Sequence, residues 1–165
     1  MNVDFITAIK MYFANYANFK GRSTRAEYWW VMLFMFLVSC ALSLFGTIGN
    51  YINYAFSLAC LIPGLALGTR RLHDTGKSGW WLVIFYIAMA VCFAWVVIIL
   101  VKNAPCLLTG NPNEVAMMGE EILPVIASVA IPYMVMFAGS IWWIVLMCKK
   151  SEPDNQYGPN PYGEY

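Results

Sequence analysis

Apolar residues run almost unbroken through four stretches of the chain, Trp29–Ile48, Tyr51–Gly68, Trp80–Val101 and Ile122–Cys148, separated by polar connections. Each has roughly 18 or more residues, and at about 1.5 Å rise per residue a helix of that length crosses the ~30 Å hydrocarbon layer of a bilayer. The pattern predicts an all-α membrane protein with four transmembrane helices, the last one long enough to tilt. Strands are excluded because an isolated one would leave backbone N–H and C=O groups facing lipid, and the ten-residue alternation of a membrane barrel is absent. Ahead of the first span, Phe5, Ile9, Tyr12, Phe13 and Tyr16 fall on one helical stripe with Asp4, Lys10 and Asn15 off it. This predicts a short amphipathic helix, lying in the membrane interface or packed on the mouth of the bundle.

Local signals refine these elements. Thr24 and Glu27 form a T-x-x-E pair, expected to satisfy two orphan donors at the start of the first span. Gly46-Thr47-Ile48-Gly49-Asn50 predicts a tight turn that makes the first two spans a hairpin. In the second span, Gly64 and Gly68 offer a flat face for a neighbouring helix, within the chain or, on the sharper reading, in a homo-oligomer. Pro132 in the fourth span displaces the carbonyl four residues back, at Ser128. The connection Lys102–Glu121 is predicted to hold a short helix with Asn111 as cap, Pro112 first, Glu114 as capping partner, and an end at Gly119.

Composition agrees with this solvent. The 165 residues are 61% hydrophobic and 12% charged, too few polar groups to cover a soluble globule. The implied organisation is a segment 1–28, a transmembrane domain 29–150 and a polar tail 151–165. The net charge of +1 gives no reason to expect nucleic acid, but the placement of charge is informative. Lys10, Lys20, Arg22, Arg25, Arg70, Arg71, Lys77, Lys149 and Lys150 all lie on one side of the predicted spans, and Lys102 on the other. The positive-inside bias then places both termini and the loop 70–79 in the cytoplasm. Trp29-Trp30, Trp80-Trp81 and Trp142-Trp143 fall near the same ends, where amphipathic rings favour the headgroup layer. The first apolar run starts too late and runs too long for a cleavable signal peptide.

Candidate chemistry concentrates on that side. No C-x-x-C pair or metal-ligand spacing occurs among the five cysteines, of which Cys106 alone falls on the outer side. Gly76-Lys77-Ser78 looks like the end of a phosphate loop, but Arg71 stands where the pattern needs glycine and no strand precedes it, which excludes that route to nucleotide hydrolysis. Ser78 can cap the third span, and Lys77 with Arg70 or Arg71 would complete an anion site at its N-terminus. His73 and Asp74 are adjacent and point about 100° apart on a helix, so they form no dyad. Asp74 has Arg70, Arg22 and Arg25 as available ion-pair partners, so the same residues equally describe a structural charge network. The tail is too poor in apolar residues for a core of its own, and is either solvated or folded back through Tyr157, Pro159 and Pro161 over the loop 70–79.

Three motifs in order, Phe19-Lys20-Gly21-Arg22-Ser23-Thr24-Arg25-Ala26-Glu27-Tyr28-Trp29-Trp30, then Arg70-Arg71-Leu72-His73-Asp74-Thr75-Gly76-Lys77-Ser78-Gly79-Trp80-Trp81, then Asn155-Gln156-Tyr157-Gly158-Pro159-Asn160-Pro161, resemble the bacterial inner-membrane family called domain of unknown function 805. The resemblance covers essentially the whole chain and implies a small multi-span inner-membrane protein. It implies no catalytic residues, cofactor or mechanism.

The residues themselves point to a noncatalytic module whose cytoplasmic face binds anionic lipid headgroups or an acidic protein segment. Arg22, Arg25, Arg70, Arg71, Lys77 and Ser78 would supply the donors, oriented by Glu27, His73 and Asp74. The alternative is an oligomeric transporter or lipid-translocating protein, for which Ser39, Ser43, Asn53, Ser57, Ser128 and Ser140 are the polar groups within the spans. A membrane enzyme ranks below both, because no paired carboxylates, metal set or activated nucleophile stands out.

Overall fold

The computed structural model describes residues 3–109 and 112–161, with side chains described over 3–102 and 125–161. Six helices and no strand occur among the described residues: α1 (Phe5–Ala14), α2 (Arg25–Ser43), α3 (Gly46–Ala59), α4 (Leu61–Asp74), α5 (Trp80–Thr109) and α6 (Pro112–Cys148). Three segments, Arg25–Ser43, Trp80–Lys102 and Val125–Cys148, are long and apolar enough to cross a membrane on their own. A fourth crossing is available if α3 and α4, bent by 48° at Cys60, act as one broken span.

The predicted second span, 51–68, therefore carries a break and is not one continuous helix. Pro63, third residue of α4, has no N–H, and its ring excludes the carbonyl of Ala59 from the helix ladder. An orphan carbonyl at membrane depth is costly unless another donor reaches it. The Tyr16 hydroxyl does so, donating to the Ala59 carbonyl at 2.6 Å. One turn earlier on α1, the Tyr12 hydroxyl donates to the Cys60 carbonyl at 3.0 Å, which also accepts the Gly64 N–H at 3.0 Å. Burial pushes the Tyr12 phenol well above its ordinary pKa, so it stays a donor. Helix α1 is therefore packed on the chain itself. Ala8 and Tyr12 are buried, and Phe5 and Phe13 meet Trp30 and Phe34 of α2 edge-on at 5.8 and 6.3 Å between ring centres.

The same device recurs in α6. Pro132 frees the Ser128 carbonyl, as the sequence predicts, and the Trp95 indole N–H of α5 donates to it at 3.2 Å.

Helix α2 begins at Arg25, as the T-x-x-E pair predicts: Thr24 Oγ1 accepts the Glu27 N–H at 3.1 Å and starts the helix there, four residues before the apolar run. Two further boundaries differ from expectation. The reversal into α3 takes only Leu44 and Phe45, so Gly46–Asn50 is helical and not a turn. Gly49 permits this closeness, since a Cβ there would lie 1.9 Å from the Leu42 carbonyl oxygen. The predicted connection 102–121 is largely helix: α5 runs to Thr109, and α6 starts at Pro112 but continues through Gly119, where an interior glycine costs only about 1 kcal/mol. Asn111 and the side chains of Cys106 and Glu114 lie outside what is described.

The chain divides into two compact units, residues 1–82 with 145–165, and residues 83–144. In the first, Gly64 and Gly68 face partners of the same chain: a Cβ at Gly68 would meet Leu82 Cδ1 at 2.6 Å, and one at Gly64 the Tyr12 hydroxyl at 3.7 Å. Its tightest core, Ala8, Tyr12, Val31, Ala66, Leu67, Leu72 and Met147, is at most 1% exposed. In the second, Phe85 stacks on Trp143 at 4.7 Å, while Ile87, Phe93, Ile131, Met134 and Phe137 are each more than half exposed. Exposed apolar surface of this extent marks an apolar surround rather than water.

Candidate functional site

Charge is buried at one end of the first unit. Arg71, Asp74, Glu27 and Arg70 are at most 4% exposed, and they stand on α2 and on the last turns of α4. Buried ions persist only when paired and hydrogen-bonded, and each has found partners.

Asp74 is the hub. One carboxylate oxygen accepts Arg22 Nη2 at 2.8 Å and Nε at 3.0 Å; the other accepts Arg71 Nη1 and the Ser151 hydroxyl. Arg71, fully buried, also donates to the carbonyls of Met147 (3.1 Å) and Lys149, so its guanidinium closes the carbonyl end of α6. A cation is favoured there by the helix dipole and by the unsatisfied terminal carbonyls. Arg70 turns instead to Glu27, 3.4 Å away, and its Nε has no partner. The expected T-x-x-E box is thus only half made: Thr24 caps α2, but the Glu27 carboxylate is drawn to a buried cation. A charge-assisted contact outweighs a hydrogen bond back to a neutral N–H.

The tail folds back onto this cluster. Arg22 donates through Nη1 to the carbonyls of Pro153 (2.8 Å) and Gly158 (3.1 Å) and through Nη2 to that of Glu152. The Glu152 N–H donates to the Asp74 carbonyl at 3.0 Å, and Asn155 Nδ2 to the His73 carbonyl at 3.0 Å. The Tyr157 ring stacks on His73 at 3.9 Å with planes 2° apart. His73 Nδ1 lies 3.2 Å from the Gly21 carbonyl, and the Ser23 N–H donates to the Arg70 carbonyl at 3.2 Å, so the segment before α2 joins the same knot. Gly76, with φ +69°, makes room for Glu152, whose carboxylate occupies the place a Cβ would take.

The structure thus gathers Arg22, Arg70, Arg71, Glu27, His73 and Asp74, but not with Lys77 and Ser78 as one anion cradle. Ser78 Oγ accepts the Trp80 N–H at 3.3 Å at the start of α5. Lys77 Nζ lies over the Trp81 ring, 5.4 Å from its centre. Arg25 is exposed and lines an open groove of about 380 Å³ with Ala26, Trp29 and Cys148. No group of three or more potential metal ligands occurs among the described residues. Sequence reasoning missed Ser151 and Asn155 as clasp residues and Arg71 as the cap of α6; nothing in the local sequence announces contacts across more than 70 positions. Within the spans, Ser39 Oγ bonds Asn53 at 3.2 Å, and Ser43, Ser128 and Ser140 bond carbonyls of their own helices.

Apolar helices of spanning length define a helical membrane protein. The chain belongs to the family described as protein of unknown function DUF805, whose sequence profile matches residues 16–159. It is similar to inner membrane protein YhaI of Escherichia coli K12, 35% identical over 89 residues, which cover 52% of this chain and 73% of that one. Inner membrane protein YhaH of the same strain is 31% identical over 108 residues, covering 61% and 84%. The uncharacterized protein YiiR is 34% identical over 85 residues, covering 49% and 58%. No solved structure matches the chain. All three stretches quoted for the resemblance contribute to the clasp, through Arg22, through Asp74 and through the carbonyl of Gly158.

Proposed function

We propose that the chain is a noncatalytic inner-membrane module with four spans and both termini in the cytoplasm, whose cytoplasmic rim holds anionic phospholipid headgroups. The observation that carries this reading is the placement of two cations beside indoles: Lys77 Nζ lies over the Trp81 ring, and Arg25 lines an open groove with Trp29. A cation next to an indole at a helix end suits the headgroup layer, where the ring sits among glycerol groups and the charge meets phosphate. Nine of the ten basic residues on the predicted cytoplasmic side support the sidedness. Ser39 with Asn53, and Ser43, Ser128 and Ser140 with their own helices, are engaged within the chain, which leaves Ser57 as the remaining span group named for the transporter reading.

Reconstitution in nanodiscs of mixed phosphatidylglycerol and phosphatidylcholine tests it, with the lipid retained on extraction read by native mass spectrometry. Each basic residue near the surface contributes about 1 kcal/mol, so Arg25→Ala and Lys77→Ala are expected to weaken the anionic preference roughly fivefold apiece. An unchanged preference in the double variant overturns the reading.

A further inference from the structure

Arg22 and Arg71 meet at the same carboxylate, Asp74. The remaining acceptors around Arg22 are neutral, the carbonyls of Glu152, Pro153 and Gly158, and all three belong to the tail. Hydrogen bonds from a guanidinium to an oxyanion are stronger than those to a neutral carbonyl, and a phosphate presents several such oxygens. The tail is also the removable part. Its described residues hold on through Ser151, Glu152, Asn155 and the Tyr157–His73 stack, without an apolar core.

Beside Arg22 lies a cavity of about 310 Å³, within the range in which small ligands bind. Arg22 and Pro161 of the tail line it, and so do Asp4, Thr7 and Glu27. Glu27 is 2% exposed, with Arg70 Nη2 3.4 Å from its carboxylate. A hydrogen bond from Thr7 holds the Asp4 carboxyl below the usual carboxylate range, so it is charged at neutral pH. A simple anion in this cavity would be repelled by those two carboxylates; a molecule carrying an ammonium group beside its phosphate would not.

We propose that this cavity is a binding site for a phosphate ester of an amino alcohol, phosphoethanolamine in chemical class, and that the tail is its displaceable strap. The phosphate takes the Arg22 donors now held by the three tail carbonyls, and the ammonium meets Asp4 and Glu27. The site is separate from the Arg25 and Lys77 rim. The Pro161 wall of the cavity leaves with the tail, while Asp4, Thr7, Arg22 and Glu27 stay; binding and closure of the tail exclude one another, so ligand binding opens residues 151–161.

Hydrogen–deuterium exchange on the full chain in phosphatidylcholine nanodiscs tests the proposal, read at the tail amides of Glu152, Asn155 and Gly158. O-phosphoethanolamine at about ten times its dissociation constant is expected to raise the open population, and the exchange rate, about tenfold. Glycerol phosphate at equal ionic strength should leave exchange near its starting rate. Discs of phosphatidylethanolamine separate the two sources of the group: faster exchange without added ligand identifies the lipid headgroup, and a response to the soluble compound alone identifies a free metabolite. Asp4→Asn, at an exposed position that leaves the clasp intact, should abolish the response while keeping the tail protected. No response to either source, an equal response to glycerol phosphate, or a wild-type response in Asp4→Asn overturns the proposal. Loss of anionic preference in the Arg25 and Lys77 variants leaves these readouts untouched, so the two readings fail separately.

Discussion

At the scale of the residue, Asp74 is the carboxylate that two buried guanidiniums share. It is wholly buried, it pairs with Arg22 and Arg71, and it accepts the Ser151 hydroxyl. Replacing it by alanine leaves two guanidiniums facing one another without a counter-charge. Removing one partner of a buried ion pair costs about 3–5 kcal/mol, so Asp74→Ala is expected to lower stability by at least that amount in denaturant titrations in detergent. Glu27→Gln should cost less, because its contact with Arg70 is 3.4 Å and a neutral amide oxygen still accepts. Equal losses in the two variants would show that Asp74 is not the hub. The membership of this cluster was legible in the sequence, since the only histidine and three cations sit close to Asp74 or on its side of the spans. The pairing was not. Arg70 stands four residues from Asp74 and would meet it on an isolated helix, but Arg71 at three residues and Arg22 from across the unit take that carboxylate, and Arg70 turns to Glu27. Spacing along one helix lists the pairs that are geometrically open; which of them forms depends on the neighbouring helix, which sequence spacing does not report.

At the scale of the element, two prolines and two aromatic donors shape the spans. Pro63 frees the Ala59 carbonyl for the Tyr16 hydroxyl, and Pro132 frees the Ser128 carbonyl for the Trp95 indole. The freed groups follow from proline chemistry alone. The donors do not, because Tyr16 reaches across 43 positions and Trp95 across 33. For that reason the stripe on α1 was legible as an apolar face, but its role as a pin on the broken span was not. A double-mutant cycle isolates the pin. Tyr16→Phe leaves the Ala59 carbonyl without its donor, for a loss of about 1–3 kcal/mol. In a Pro63→Ala background the helix ladder reclaims that carbonyl, so the same substitution should cost little, and the coupling is expected at about 1 kcal/mol or more. Additive losses would mean that the Tyr16 contact is independent of the proline. The outer ends of α5 and α6 show the opposite error. Gly119 and the polar residues between 102 and 121 read as a loop, but helical propagation along two long apolar segments overrides them, and a single interior glycine is too weak a signal to stop it.

At the scale of the whole molecule, the clasp and the charge bias make the same demand by independent routes. Arg22, Asp74 and Pro153 meet within hydrogen-bonding distance, so the segment before α2, the end of α4 and the tail after α6 share one end of the first unit. An odd number of crossings between α2 and the α4 end, or between α5 and the tail, would put these pieces on opposite sides of a bilayer. If α2 crosses once, α3 and α4 together must return the chain for the clasp to form, which is the four-span arrangement proposed above. The three-span count, with α3–α4 as a re-entrant loop, would strand Arg22 and Asp74 across the membrane from each other. Fusions of alkaline phosphatase, active only outside the cytoplasm, decide between them. Fusions after Gly79 and after Tyr165 are expected to be inactive and a fusion after Asn103 active, with a cytoplasmic fluorescent reporter giving the inverse pattern. Phosphatase activity after Gly79 together with none at the amino-terminal end would require the clasp to be broken in the membrane, and with it both the rim and the strap built upon it.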